Sequence, residues 1–113
     1  MNKYTAQLPI KIGEKLCALE FDWAAVSKLY STFGPVAFVS IARRSPEEIA
    51  LFIHAGLAKH NPDVTIDEIM AASLPFIAVI TLIEQGVMYF YYGPEGPPEV
   101  ADENDPADDS KKN

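Results

Sequence analysis

With Cys17 as its single cysteine, the chain cannot close a disulfide of its own or build a thiolate zinc site. Cys17 falls in an alternating stretch where a small buried hydrophobe fits, so packing rather than reactivity is its expected part. Histidine is nearly as scarce. His54 and His60 fall on different faces of one helix, and no carboxylate pattern completes a metal set around them, so both are expected to be partly exposed helix residues. There is no glycine-rich phosphate loop, no GxSxG and no Cys/His pair at a useful site. No catalytic, cofactor-binding or metal-ligating residue is therefore expected, and the chain reads as a non-enzyme. Basic residues are few, with 9 Lys and Arg against 16 Asp and Glu. No basic face is left to neutralise phosphates, which argues against nucleic acid as a partner. The N-terminal stretch Met1-Asn-Lys-Tyr-Thr-Ala-Gln-Leu-Pro9 has no apolar signal-peptide region, and a cytoplasmic location is expected.

What the chain does have is concentrated between Leu74 and Tyr92. This run is apolar almost all the way round a helix. On a period of 3.6, Phe76, Val79, Ile80, Ile83, Val87 and Phe90 form one face. Thr81, Glu84 and Gln85 make a narrow polar strip, and Ile77, Leu82, Met88, Tyr89, Tyr91 and Tyr92 fill the flanks. A surface helix needs one apolar stripe, and this one has surplus that its own core, another copy or a partner must cover. A bilayer is disfavoured as the cover. The run approaches the ~20 residues that span one, but a carboxylate near its centre costs ~2.5–3.5 kcal/mol. No Lys or Arg flanks it, the nearest being Lys59 and Lys111.

Length and composition divide the chain into one domain, residues 1–92, and an acidic, Pro-rich segment, residues 93–113. The segment holds Pro94, Pro97, Pro98 and Pro106, seven Asp and Glu side chains between Glu95 and Asp109, and Val100 as its one large apolar residue. It carries most of the net charge of −7 and is expected to be a disordered tail, since it has too little to bury to offset ordering.

Within the domain, Tyr4–Ile12 and Leu16–Asp22 flank Gly13-Glu14-Lys15 and read as a β-hairpin, with Pro9 confining the first strand to an edge. Asp22 is an N-cap for a helix from Trp23 to Phe33 closed by Gly34, with Trp23, Val26, Tyr30 and Phe33 on one side and Leu29 beside them. Pro35 is expected to open a short helix over Val36–Ala42, ended by Arg43 and Arg44. Ser45-Pro46-Glu47-Glu48 is a capping box leading into Ile49, Phe52, Ile53, Gly56 and Leu57, a clean amphipathic stripe. Gly56 costs ~1 kcal/mol against Ala there, which predicts close approach of another backbone. Thr65-Ile-Asp-Glu68 opens a second short helix, and the long apolar helix follows with Pro75 in its first turn. The fold class is α+β: an N-terminal β-hairpin followed by four to five mostly amphipathic helices.

Two segments together resemble a known pattern. Glu20-Phe-Asp-Trp-Ala-Ala-Val-Ser-Lys-Leu-Tyr30 has a strand ending in Phe-Asp before an Ala-rich helix. Leu51-Phe-Ile-His-Ala-Gly-Leu-Ala-Lys-His-Asn-Pro-Asp-Val-Thr-Ile-Asp-Glu-Ile69 follows an apolar, Ala-Gly-Leu, basic-His, Pro-Asp, acid-Glu order. This is similar to the tail assembly chaperones of long-tailed bacteriophages and their relatives in gene transfer agents and prophages. The resemblance spans residues 10–72 and stops at Leu74. It implies a non-catalytic assembly factor that binds the long, helical tape measure protein, assists polymerisation of the tail tube protein, and leaves the finished particle. It also implies a frameshifted longer form in many members, for which Lys111-Lys112-Asn113 suits an A-rich slippery site. On this reading the candidate contacts are Val87, Met88, Phe90, Tyr91 and Tyr92, of the residue types that carry interface energy, and the chain is expected to form a homo-oligomer. The competing expectations are a small acidic phage regulatory or anti-defence protein and a membrane-peripheral protein using the 74–92 helix. Acids on a flexible tail count against the first, and the absent basic flank counts against the second.

Overall fold

Alternation of apolar and polar side chains builds the hairpin. In the computed structural model of the chain, which describes residues 6–95, β1 (Leu8–Ile12) pairs antiparallel with β2 (Lys15–Leu19) in the register Leu8↔Leu19, Ile10↔Cys17, Ile12↔Lys15. Leu8, Ile10 and Ile12 turn inward while Pro9 and Lys11 face out. The turn is Gly13-Glu14, with Gly13 at φ +61°. A turn this tight makes Ile12↔Lys15 a hydrogen-bonded pair, and alternation then puts the backbone of Pro9 on the outer edge, where a missing N–H loses no ladder bond. The equivalent outward N–H on β2, that of Ala18, donates to Asn61 Oδ1 at 3.0 Å. Both strands are shorter than the sequence suggests. β2 stops at Leu19, and the next outward N–H, that of Glu20, donates to the Gly56 carbonyl at 2.9 Å.

The helix α1 (Trp23–Phe33) starts where expected, Asp22 Oδ1 accepting from the Ala25 N–H at 3.0 Å, and ends at Gly34 with φ +77°. Its buried face is Ala25, Val26 and Leu29; Val26 and Leu29 are where the sequence puts them, but Trp23 is 83% exposed and Tyr30 is exposed as well, which corrects their place on the apolar side. The helix expected over Val36–Ala42 is replaced by two 3-10 turns, Gly34–Val36 and Ile41–Arg43, with Ser40 at φ +53° between them. Arg44 accounts for much of this. Its guanidinium donates to the Val36 and Ala37 carbonyls at 3.2 and 3.1 Å, occupying acceptors that an α-helix would use itself. It also lies 4.3 Å over the Phe33 ring and 3.7 Å from the Glu48 carboxylate.

Two capping boxes form as the sequence predicts. Ser45 and Glu48 exchange bonds of 3.2 and 3.1 Å at the start of α2 (Pro46–Leu57), and Thr65 and Glu68 do so at 3.1 and 2.9 Å at the start of α3 (Ile66–Ala72). The last helix, α4, runs Phe76–Tyr92 and begins later than Leu74, because a proline drives the residue before it out of helical geometry. Pro75 is thus its N-cap and not a member of its first turn. The architecture is α+β, a two-stranded hairpin followed by four α-helices. From Gly96 onward the acidic, Pro-rich tail lies outside the described residues.

The hairpin and helices meet on Phe21, 1% exposed. A Cβ on Gly86 of α4 would sit 2.5 Å from Phe21 Cδ2, and one on Gly56 of α2 would sit 3.0 Å from Phe21 Cζ and 2.8 Å from Leu19 Cδ2. Gly56 therefore serves two approaches, the backbone bond from Glu20 and the side chains of Leu19 and Phe21. Next to this ring lies the buried carboxylate of Glu20. Its Oε1 accepts from His60 Nε2 at 2.7 Å and its Oε2 from Lys59 Nζ at 3.2 Å, while Lys59 also lies 3.7 Å from Asp22. His60, expected to be a partly exposed helix residue, is part of the clip joining the end of β2 to the end of α2. Across the hairpin turn, Lys15 Nζ pairs with Glu68 at 3.2 Å.

Three outcomes follow for stability. Gly86→Ala should destabilise by about 1–3 kcal/mol in denaturant unfolding, because the overpacking strain exceeds the ~1 kcal/mol helix-propensity gain. Adding Phe21→Leu should recover part of that loss. His60→Ala, which takes a donor from a buried carboxylate, should lower stability by about 1–3 kcal/mol. Third, the Thr65 N–H and then Lys15 hold the Glu68 carboxyl below its usual range. A depressed folded-state value means stability that is present above the ordinary Glu pKa of ~4.3 and lost as pH falls through the folded value. Melting temperature against pH should show this acid limb weakened in Glu68→Gln.

Candidate partner-binding groove

The packing of α4 on Phe21 decides which of its faces is left over. Val79, Ile80, Ile83, Gly86 and Val87 turn inward. Outside remain Ile77 at 72% exposure, Tyr91 at 54%, Tyr92 at 51% and Met88 at 38%. The polar strip is also outside, with Gln85 Nε2 donating to the Tyr89 hydroxyl at 3.0 Å and Thr81 Oγ1 to the Ile77 carbonyl at 3.0 Å. The helix is buried along one stripe and bare on its aromatic flank.

That flank faces the segment after α1, and the two enclose an open groove of about 510 Å³. Its floor includes Val87 and Ile41, both buried. Met88 and Tyr91 rise on the α4 side, and Tyr30, Phe38 and Val39 on the other, with Glu84 the one charged lining residue. The rings run on from one another: Tyr30 to Phe38 is 6.0 Å between centroids, and Phe38 to Tyr91 is 6.4 Å edge-on. Partial burial, and then a hydrogen bond with Tyr30, push the Tyr91 hydroxyl above the ordinary tyrosine range.

The five residues singled out in the sequence do not form one surface. Val87, 7% exposed, belongs to the core and shows only as groove floor, which corrects its assignment as a free contact. Met88 and Tyr91 stand on the groove wall. Phe90 is half-buried and points the other way, its ring 6.5 Å from Trp23 and 5.4 Å from Tyr91. Tyr92 is exposed, 6.4 Å from Tyr91, beyond the groove. The wall opposite α4 escapes sequence reasoning because Phe38 and Val39 read as one face of a helix that does not form. Their signal is an apolar run, Val36-Ala-Phe-Val39, with no polar relief. A smaller apolar cavity of about 220 Å³ lies between α2, α3 and α4, bordered by Ile53, Ile69, Met70, Leu74 and Phe76.

Among the described residues no helix is long and apolar enough to cross a membrane, and no three His, Cys, Asp or Glu side chains stand together as metal ligands. No family model matches the chain, nor does any curated protein or solved structure.

Proposed function

We propose that the chain is a tail assembly chaperone of the long-tailed phage type, a non-catalytic binding protein of the host cytoplasm that holds the tape measure protein and assists the tail tube to assemble around it. The observation that carries this reading is the groove. Its walls are Tyr and Phe rings, which offer large flat contact area, and a Met thioether, which adapts to different guests at little cost. An amphipathic helix can lay one apolar stripe along such a groove, anchoring side chains at i, i+3 or i+4, and i+7. A long helical client offers many such stripes and aggregates through them, so covering them in turn is what keeps it soluble. The order of caps, helix faces and turns over residues 10–72 supports the same family by resemblance. Trp23, Ile77 and Tyr92, exposed away from the groove floor, are suited to contacts between copies in a homo-oligomer.

Co-expression with tape measure fragments tests the reading. The expected result is more fragment in the soluble fraction and its co-purification with this chain. Met88→Glu combined with Tyr91→Ala should cut recovery by about tenfold or more, since each anchor is worth ~1–2 kcal/mol, with the melting temperature nearly unchanged. A fragment that stays insoluble and does not co-purify with the wild-type chain rejects the proposal. Light scattering that shows a mass of one chain at micromolar concentration removes the oligomer from it.

A further inference from the structure

One charge lines the groove. Glu84, Met88 and Tyr91 stand at i, i+4 and i+7 of α4 and form a single stripe on that wall. The Glu84 carboxylate is exposed at one end of the stripe, and among the described residues no Lys, Arg or His forms an ion pair with it. Its polar neighbours Thr81 and Gln85 bond within α4, to the Ile77 carbonyl and the Tyr89 hydroxyl. We propose that the groove takes an amphipathic helix of another protein whose apolar stripe ends in a Lys or Arg, the cation seated on Glu84 and the apolar side chains against Met88 and Tyr91. This client chemistry rests on the groove being the client-binding surface.

Backbone chemistry, length and charge each favour this occupant. The polar side chains on the groove are the hydroxyls of Tyr30 and Tyr91, bonded to each other with one O–H to spare, and a carboxylate that only accepts. An extended guest needs a partner for each amide it buries, whereas a helix brings its own backbone bonds and presents side chains alone. In length, Glu84 to Tyr91 covers ~10 Å at ~1.5 Å per residue. That is also the span of a guest's i, i+3 or i+4, and i+7 positions, so three guest side chains in one register meet the three wall residues. In charge, a second copy laying its α4 here would bring another Glu84 and no cation, since no Lys or Arg falls between Lys59 and Lys111. Two carboxylates facing each other across an apolar groove repel, and a foreign helix with a cation at that place is attracted. The rings supply contact area and Glu84 supplies register. A guest slid by one turn loses the pair and carries its cation onto the Met88 side chain.

Methionine methyl NMR on the full chain tests it, because it reads even weak binding. Met88 lines the groove, whereas Met70 borders the separate cavity near α3 and serves as the control. The probes are two helical peptides of Ala and Gln with Leu at i+4 and i+7 and either Lys or Glu at both i and i+11, so that docking in either direction meets Glu84. The Lys peptide should shift the Met88 methyl resonance and leave that of Met70 in place. Its Kd should be about threefold or more below that of the Glu peptide, with the gap narrowing at high salt. Glu84→Gln should remove the preference. Glu47→Gln, the same charge change in the first turn of α2, should keep it, which separates a contact from the net charge of −7. Equal affinity for the two peptides, equal effects of the two substitutions, or no movement of Met88 with either peptide overturns the proposal. So does peptide binding that strengthens as the chain is diluted, since a second copy then holds the groove. No tape measure protein enters the measurement. A lost preference beside intact co-purification rejects the cation and leaves the chaperone reading standing, and the reverse pattern rejects the tape measure protein and leaves the helix chemistry.

Discussion

One aromatic ring, seated where two helices have no side chain, organises this protein. Phe21 lies between Gly56 of α2 and Gly86 of α4, so close to both that neither position has room for a methyl group. The ring comes from the segment that links hairpin to helices, and therefore locks three parts of the chain at once. Around it the backbone is satisfied by neighbours rather than by water: the Glu20 N–H uses a carbonyl left over at the end of α2, and Asn61 covers the Ala18 N–H. The buried Glu20 carboxylate, held by His60 and Lys59, fixes the same joint electrostatically. A hairpin that would be marginal alone becomes part of the core through these contacts.

The exposed aromatic flank of α4 is a by-product of that seat. Gly86 must face Phe21, which sets the rotation of α4 about its axis. Once it is set, Val79, Ile80, Ile83 and Val87 go inward and Met88, Tyr91 and Tyr92 remain outside. No residue on the bare flank needs to be special for this to happen. An apolar helix with more than one stripe, turned by a single close contact, leaves a sticky face as a matter of geometry.

Much of the fold was legible because it is written in local chemistry. Two capping boxes, the Asp22 cap and the Gly34 stop mark helix ends within a few residues, and alternation marks the hairpin. The illegible parts depend on partners far away in sequence. Val36–Ala42 has the composition of a helix turn, but Ser40 takes left-handed geometry and the Arg44 guanidinium reaches back to the Val36 and Ala37 carbonyls. Trp23 has the look of a core residue, yet the small face of Ala25 docks in its place. The groove was half visible for the same reason. Its α4 wall follows from periodicity, while its second wall exists only because a helix was prevented.

That second wall has no α-helix, yet it is packed: Ala37 and Ile41 are buried, and the Phe38 ring meets Phe52 edge-on at 5.8 Å. Between Gly34 and Arg43 its backbone holds turn bonds of its own, Ala37 N–H to Gly34, Val39 N–H to Val36 and Arg43 N–H to Ser40, and the Arg44 guanidinium, resting on Phe33 and leaning on Glu48, adds a tether to the Val36 and Ala37 carbonyls. Lysine could not take this place, since an ammonium offers neither the planar fork for two carbonyls nor a flat face for the ring. The width of the groove is thus governed from the first turn of a neighbouring helix. The shape of this side is therefore set from outside it, by a planar cation that gathers two carbonyls and a ring at one point.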